Sequence, residues 1–466
     1  MQNIEVDDSS FRDSSGFVFR YQGTLYRQVN QCFANAFDAY LDSGLHQALT
    51  ERNYLVRHRE QQLDGYRSDL AHKILKPERI RYISYPYEWC FGQLKDAALL
   101  TLDIQLLALD YGFSLKDASA FNVQFHQGRP IFIDTLSFEP YEQGTWVAYR
   151  QFCQHFLAPL ALKAHCDHRL GKLAELYIDG VPLDLTSRLL PKRTWLSFNI
   201  LSHIHLHAKM QTRYGDKAHQ TQAALKGADA MKVDKLRAML KGLRTYIASL
   251  HWHTPSSEWG EYYQHTNYQD AAMQGKIALV EGYLSQRGTP ASLLADIGAN
   301  SGQFSRLASR YTEQVVAFDI DEVAVEHNYQ QVRESGESHI LPLVLDLFNP
   351  SAAIGWANGE RSSFVSRGAF DVVIALALIH HLAISNNTPL EHIVRLLHHI
   401  SRQQVIIEFV PKEDSQVQRL LASRKDVFPQ YHQVGFEAAL AGYFTIEAKD
   451  QIPHSCRTLY CLTKLS

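Results

Sequence analysis

The string Leu293–Gly302, L-L-A-D-I-G-A-N-S-G, sets an acid, two glycines and an asparagine at the end of an apolar run. Asp296 closes the run, Gly298 and Gly302 mark a turn, and a helical pattern from Phe304 to Arg310 follows. Strand, glycine-rich turn and helix, in that order, build a nucleotide pocket at the carboxyl edge of an α/β sheet. Glycine turns with positive φ and lets backbone approach a ligand, and the first N–H groups of the helix face any negative group placed there. The spacing D-x-G-x-N-x-G is not the dinucleotide fingerprint G-x-G-x-x-G, because an acid precedes the first glycine.

The elements that must position this turn follow in regular succession. The apolar run Q-V-V-A-F-D-I-D carries Asp319, placed at the end of a second strand to bind ribose hydroxyls. A third run, I-L-P-L-V-L-D-L, ends at Asp346 and Leu347. A fourth, A-F-D-V-V-I-A-L-A-L-I-H-H, holds Asp371 and Ala375 and ends on His380 and His381. V-I-I-E-F-V-P reads as a fifth strand, with Glu408, Lys412, Glu413 and Asp414 at or beyond its carboxyl side, where open α/β sheets bind substrates. The chain closes with F-T-I-E-A-K and R-T-L-Y-C-L-T-K, an antiparallel pair.

On these motifs, residues from about 276 to 466 resemble a class I S-adenosylmethionine-dependent methyltransferase. The resemblance implies that Asp296, Gly298, Asn300 and Gly302 form the cofactor loop and that Asp319 binds the ribose. It implies that Asp346 and Leu347 contact adenine, and that the segment from Asp371 through Ala375 to His381 is the fourth-strand motif, whose end faces the methyl group. The adenine-methylating N/D-P-P-Y/F string is replaced by Ala375-Leu376-Ala377-Leu378, and no Pro-Cys pair suits cytosine-C5 chemistry. The acceptor is therefore expected to be a small molecule or biosynthetic intermediate. A histidine beside the methyl group would serve as general base, its pKa lying near neutrality. His380 and His381 are the candidates, with His381 preferred.

Composition narrows the rest. A chain of 466 residues is too long for one typical domain. A net charge of −3 gives no bulk electrostatic reason to bind nucleic acid or anionic membrane, and no apolar run is long enough to span a bilayer. The start, M-Q-N-I-E-V-D-D, does not read as a signal peptide, and the six cysteines form no C-x-x-C pair. A cytoplasmic protein with reduced thiols is expected; oligomeric state is not legible. Three regions emerge: 1–190, mixed helix and strand; 191–275, a helical connector and lid; and 276–466. In the connector, His203, His205 and His207 are expected on a helix as packing residues, and the aromatic stretch 254–268 as a loop over the cofactor.

The first region holds a second constellation. G-F-V-F-R-Y-Q-G-T-L-Y-R-Q-V reads as a hairpin about Gln22-Gly23. Further on, N-V-Q-F and P-I-F-I-D flank the turn His126–Arg129. Folding about Gly128 sets Asn122 opposite Asp134, with Asp117 just upstream. Two acids and a carboxamide are hard oxygen ligands suited to Mg²⁺ with phosphate. The order D-x-x-x-x-N, strand, turn, strand, D is that of protein-kinase-like phosphotransferases, and residues 14–190 resemble that fold as in small-molecule kinases. By the resemblance Asp117 is the base, and Asn122 and Asp134 hold the metal. The departures are a missing glycine-rich phosphate loop, no strand lysine of the V-A-I-K kind, Lys116 before the loop acid, and Leu115 in place of the family's histidine.

The fold expected is thus α/β: a C-terminal Rossmann-like seven-stranded methyltransferase sheet plus an N-terminal α+β domain that is kinase-like or a degenerate relative and selects or holds substrate. The alternatives are a bifunctional phosphotransferase–methyltransferase and a non-catalytic S-adenosylmethionine-binding protein.

Overall fold

A computed structural model describes residues 4–63, 66, 68–142, 144–209, 232–252, 270–422 and 425–465. The chain divides into two compact units. The first comprises residues 1–253 with Ala353–Arg361, and the second the rest. The described residues 191–209 and 232–252 fall in the first unit. The aromatic stretch 254–268 and most of the polar run 208–243 lie outside the described residues.

In the first unit, β1 (Ile4–Val6), β2 (Gly16–Tyr21), β3 (Thr24–Asn30), β4 (His58–Glu60) and β5 (Ala71–Pro77) form an antiparallel sheet in the order β1-β2-β3-β5-β4. The β2–β3 turn is the expected Gln22-Gly23, both with positive φ (49° and 75°), the geometry whose twist matches a two-residue hairpin. The helix Phe91–Asp110 is apolar around most of its girth and buried accordingly. β6 (Phe113–Leu115) pairs with β9 (Phe138–Pro140), and β7 (Val123–His126) with β8 (Arg129–Phe132). The helix Val233–Ser249 packs on Phe91–Asp110, with Arg244 gripping Asp103 through Nε at 2.5 Å and Nη2 at 2.9 Å.

The second unit is built on β10 (Leu294–Ile297), β11 (Val315–Asp319), β12 (Ile340–Val344), β13 (Phe370–Ala375), β14 (Ser401–Phe409), β15 (Phe444–Gln451) and β16 (Thr458–Lys464). Their order is β12-β11-β10-β13-β14-β16-β15. The first five are parallel, and the last two pairings antiparallel. Every residue of β10 and β13 is buried, which explains their near-continuous apolar runs: a central parallel strand is covered on both faces. Strand order reverses between β10 and its two neighbours, β11 and β13. That switch point opens a crevice at the carboxyl edge, and the cofactor loop leaves β10 there.

Candidate active site

The loop after β10 turns as its glycines require. Gly298 has φ 78° and Gly302 φ 85°. The two glycines serve differently. A Cβ on Gly298 would meet only Leu378 at 3.6 Å, so its backbone conformation is what demands glycine. A Cβ on Gly302 would also lie 2.5 Å from Asn328 Oδ1 and 2.6 Å from Arg306 Nη1, so both side chains would have to move. Asn300, at φ 50°, accepts the Ser301 N–H through its side chain at 2.7 Å, the local bonding that lets asparagine take this conformation.

Asp296 ends β10 buried at 2 % exposure, and its carboxylate accepts the Ser305 hydroxyl at 2.7 Å. Burial pushes its pKa up to about 6. Asp319, last residue of β11, accepts the Asn300 N–H at 2.8 Å and the Asp321 N–H at 2.9 Å. Loss of water outweighs these bonds, and its pKa too rises to about 6. Asp321 caps the helix Glu322–Ser335 through one oxygen, while its Oδ2 is buried without a hydrogen bond. Asp346 and Leu347 follow β12, with Asp346 accepting the Phe348 N–H at 2.9 Å. Ala375 ends β13, paired with Ile297 on one side and Ile407 on the other. The predicted cofactor residues thus gather at adjacent strand ends.

Asp371 does not. It sits at the amino end of β13, accepting the Ser292 and Leu293 N–H groups at 2.8 and 3.3 Å, and so ties strands together at the opposite edge.

His380 and His381 follow β13 with ring centroids 4.1 Å apart. Burial, then His381 and Arg457, hold the His380 imidazole well below its ordinary value. Burial and Arg457 lower His381 to about 4. His380 is 1 % exposed and its Nδ1 has no hydrogen-bond partner. Both rings are therefore neutral at pH 7 and able to accept a proton.

Beneath them runs an ion network that spacing did not reveal. Lys276 meets Glu408 at 2.5 Å, Glu408 meets Arg457 at 3.1 Å, and Arg457 meets Asp414 at 2.7 Å. Glu408 also accepts the N–H of Ala377, which turns at φ 50° just past β13. Glu408 was expected to face substrate; at 0 % exposure it instead fixes the turn that carries the histidines. Lys276 sits in the otherwise apolar stretch K-I-A-L-V, a faint signal that nothing local connects to Glu408 or Arg457. Lys412, expected beside substrate, pairs instead with Asp426 at 2.6 Å.

In the first unit, Asp117, Asn122 and Asp134 do converge: the Asn122 carboxamide and the Asp134 charge both act on Asp117, whose pKa is raised mainly by burial. The register differs by one residue. Val123 pairs with Phe132 and the Ile133 N–H reaches Asn122 O at 2.8 Å, so Asn122 lies opposite Ile133. The turn is the two-residue Gln127-Gly128 rather than a fold about Gly128 alone. Asp134 is also already neutralised. Arg27 of β3 ion-pairs with it, and Ser137 Oγ and the Leu136 N–H donate to it. A carboxylate so engaged does not fit a Mg²⁺ site. Among the described residues no group of three or more His, Cys, Asp or Glu is arranged to hold a metal.

The connector histidines pack as expected. His203 bonds Tyr149, and His205 bonds Ser187 at 2.8 Å and Thr194 at 3.0 Å with Trp195 stacked on it. Among the described residues no helix is long and apolar enough to cross a membrane.

Comparison with known proteins agrees with the second unit. Residues 295–402 match the methyltransferase domain family. Over 457 residues the chain is 37 % identical to the nodulation protein NoeA of Rhizobium meliloti strain 1021, covering 97 % of this chain and 94 % of that one. The chain belongs to the NoeA family. Its second unit is a class I S-adenosylmethionine-dependent methyltransferase domain. Among solved structures it is similar to the N-methyltransferase NodS of Bradyrhizobium japonicum WM9, at 12 % identity and TM-score 0.31 over 42 % of this chain and 99 % of that one. It is also similar to magnesium protoporphyrin IX methyltransferase of Synechocystis PCC 6803 with bound S-adenosylmethionine, at 17 % identity and TM-score 0.31 over 44 % and 89 %.

Proposed function

We propose that this enzyme methylates a small-molecule acceptor, with Asp296, Gly298, Asn300, Gly302, Asp319, Asp346, Leu347 and Ala375 around the cofactor and His380 or His381 as base. The observation that carries the reading is Asp319: a partly buried carboxylate held by backbone N–H groups, with no cation of the described residues on it, beside the glycine turn. Such a group retains lone pairs for the two hydroxyls of a ribose. When bound, the cofactor's sulfonium supplies a methyl group to a nucleophile and leaves as a neutral thioether. The chain's own part is to bind, orient and receive the proton. Burial and the nearby Arg457 keep both imidazoles uncharged, the form in which a ring nitrogen has a lone pair for the acceptor's O–H or N–H proton.

Among the described residues nothing bonds His380 Nδ1, which favours it over His381 for a proton taken from substrate. We assign to the first unit the selection or holding of the acceptor. Mg²⁺-dependent phosphotransfer is not part of the reading, because Arg27 occupies Asp134. Incubation of the protein with methyl-labelled cofactor and a small-molecule extract tests it. Label should enter the low-molecular-weight fraction; label entering only nucleic acid or protein would refute the acceptor class.

A further inference from the structure

The nine residues Ala353–Arg361 interrupt the second unit and pack as part of the first. Two consecutive residues there have opposite charge and opposite surroundings. Glu360, 3 % exposed, receives Arg12 in a fork, Nε to Oε1 at 2.5 Å and Nη2 to Oε2 at 3.0 Å. Gly355, at φ 86°, makes room for that carboxylate, since a Cβ there would fall 2.2 Å from Glu360 Oε2.

Arg361 has no carboxylate. Its Nη1 donates to the Glu360 carbonyl at 3.0 Å, and its Nε is buried without a hydrogen bond. The guanidinium lies 4.3 Å from the centroid of the Phe121 ring. Around that ring stand Tyr85 at 6.0 Å, Tyr87 at 6.4 Å and His155 at 6.0 Å, all edge-on. The charged and titratable groups acting on Arg361 are Tyr85, Tyr87, Glu360 and Arg12, and burial is the largest influence, lowering its pKa. His155 is buried and stays neutral, its pKa lowered to about 4 by burial and by Arg361.

Taking a guanidinium out of water without an acid beside it is unfavourable, and stacking on an aromatic face offsets only part of that cost. The missing term is the one an oxyanion supplies, and the arginine fork matches carboxylate or phosphate through two parallel bonds. Arg361 and Phe121 are each only partly buried, so both can be reached from solvent.

We propose that Arg361, flanked by Phe121 and His155, is an oxyanion site of the first unit that takes the phosphate or carboxylate of a small organic anion, with Phe121 offering a face to its organic body. The site is built from residues of the first unit and does not depend on the methyltransferase activity of the second.

Calorimetric titration of the full chain with inorganic phosphate, a hexose phosphate and a hexuronic acid tests the site. Saturable binding of at least one probe is expected, and the arm that binds identifies phosphate or carboxylate. Arg361→Met should weaken binding by about tenfold or more, the loss of a charge-assisted fork. Arg361→Lys keeps the charge without the fork and should fall between. Phe121→Leu should weaken a sugar-bearing probe more than inorganic phosphate. Circular dichroism of each variant separates lost binding from lost fold. No saturable binding of any probe by wild type overturns the site. So does unchanged affinity in a folded Arg361→Met or Arg361→Lys protein, which would leave Arg361 as a packing anchor.

Discussion

Asp319 and Asp134 look alike in sequence: each ends an apolar run and lies near other polar residues. In the fold they are opposites. Among the described residues, Asp319 is held by backbone N–H groups, which orient a carboxylate without neutralising it. Asp134 meets a guanidinium from β3, and that ion pair fills the place a cation would take. The comparison teaches that an acid at a strand end announces a site only if no cation of the same chain reaches it first. One unit keeps its acid available to a ligand; the other has used its acid to hold β3 to the segment after β8.

Four experiments break or sharpen this contrast. The largest effect should come from the histidines. His380→Ala or His381→Ala should cut methyl transfer by about 10²–10⁴-fold, the usual loss on removing a general base. Cofactor affinity should hold, and single-turnover rates beside a binding titration would check both. Full turnover in both variants would make the pair structural.

Next is the network below them. Glu408→Ala takes the carboxylate from buried Lys276 and leaves Arg457 with Asp414 alone, so urea unfolding should show a loss of about 3–5 kcal/mol. A change within error would mean the network is not coupled to the fold.

The third effect is pH dependence. Asp319 has a folded pKa of about 6, above that of a free carboxyl, and ribose binding needs it ionised. Cofactor affinity should be flat above pH 6 and fall as pH drops through 6, approaching about tenfold per pH unit. Titrations between pH 5 and 8 read this directly, and affinity rising toward acid would reverse the assigned protonation state. The smallest effect is the expected null in the first unit. Added Mg²⁺ should leave the melting temperature and ATP turnover unchanged, because Asp134 is already paired. Magnesium-dependent ATP turnover lost in Asp134→Ala would instead support a bifunctional enzyme.

The C-terminal site was legible because its signals are local. Asp296 and the glycines share one ten-residue string, and Asp319, Asp346 and Ala375 each end an apolar run whose strand type follows from burial on both faces. Side-chain periodicity does not encode which distant elements meet. Arg27 with Asp134, Lys276 with Glu408 and Glu408 with Arg457 join residues far apart in the chain, so each was missed or misread. The Asn122 register failed by one place because a two-residue turn and a fold about one glycine differ by half a residue in their centre. The Ala353–Arg361 excursion carried no signal, since a loop between two strands reads alike whichever unit it packs on.

The central claim is that the second unit binds S-adenosylmethionine through a loop whose anchor is an unneutralised Asp319. Calorimetric titration of wild type and Asp319→Ala, side by side at pH 7.5 (above the folded pKa of about 6), tests it most directly. One saturable site is expected in wild type, with a loss of about 1–3 kcal/mol in the variant, the cost of leaving ribose hydroxyls unpaired. No binding by wild type, or equal affinity in a folded variant, would contradict it.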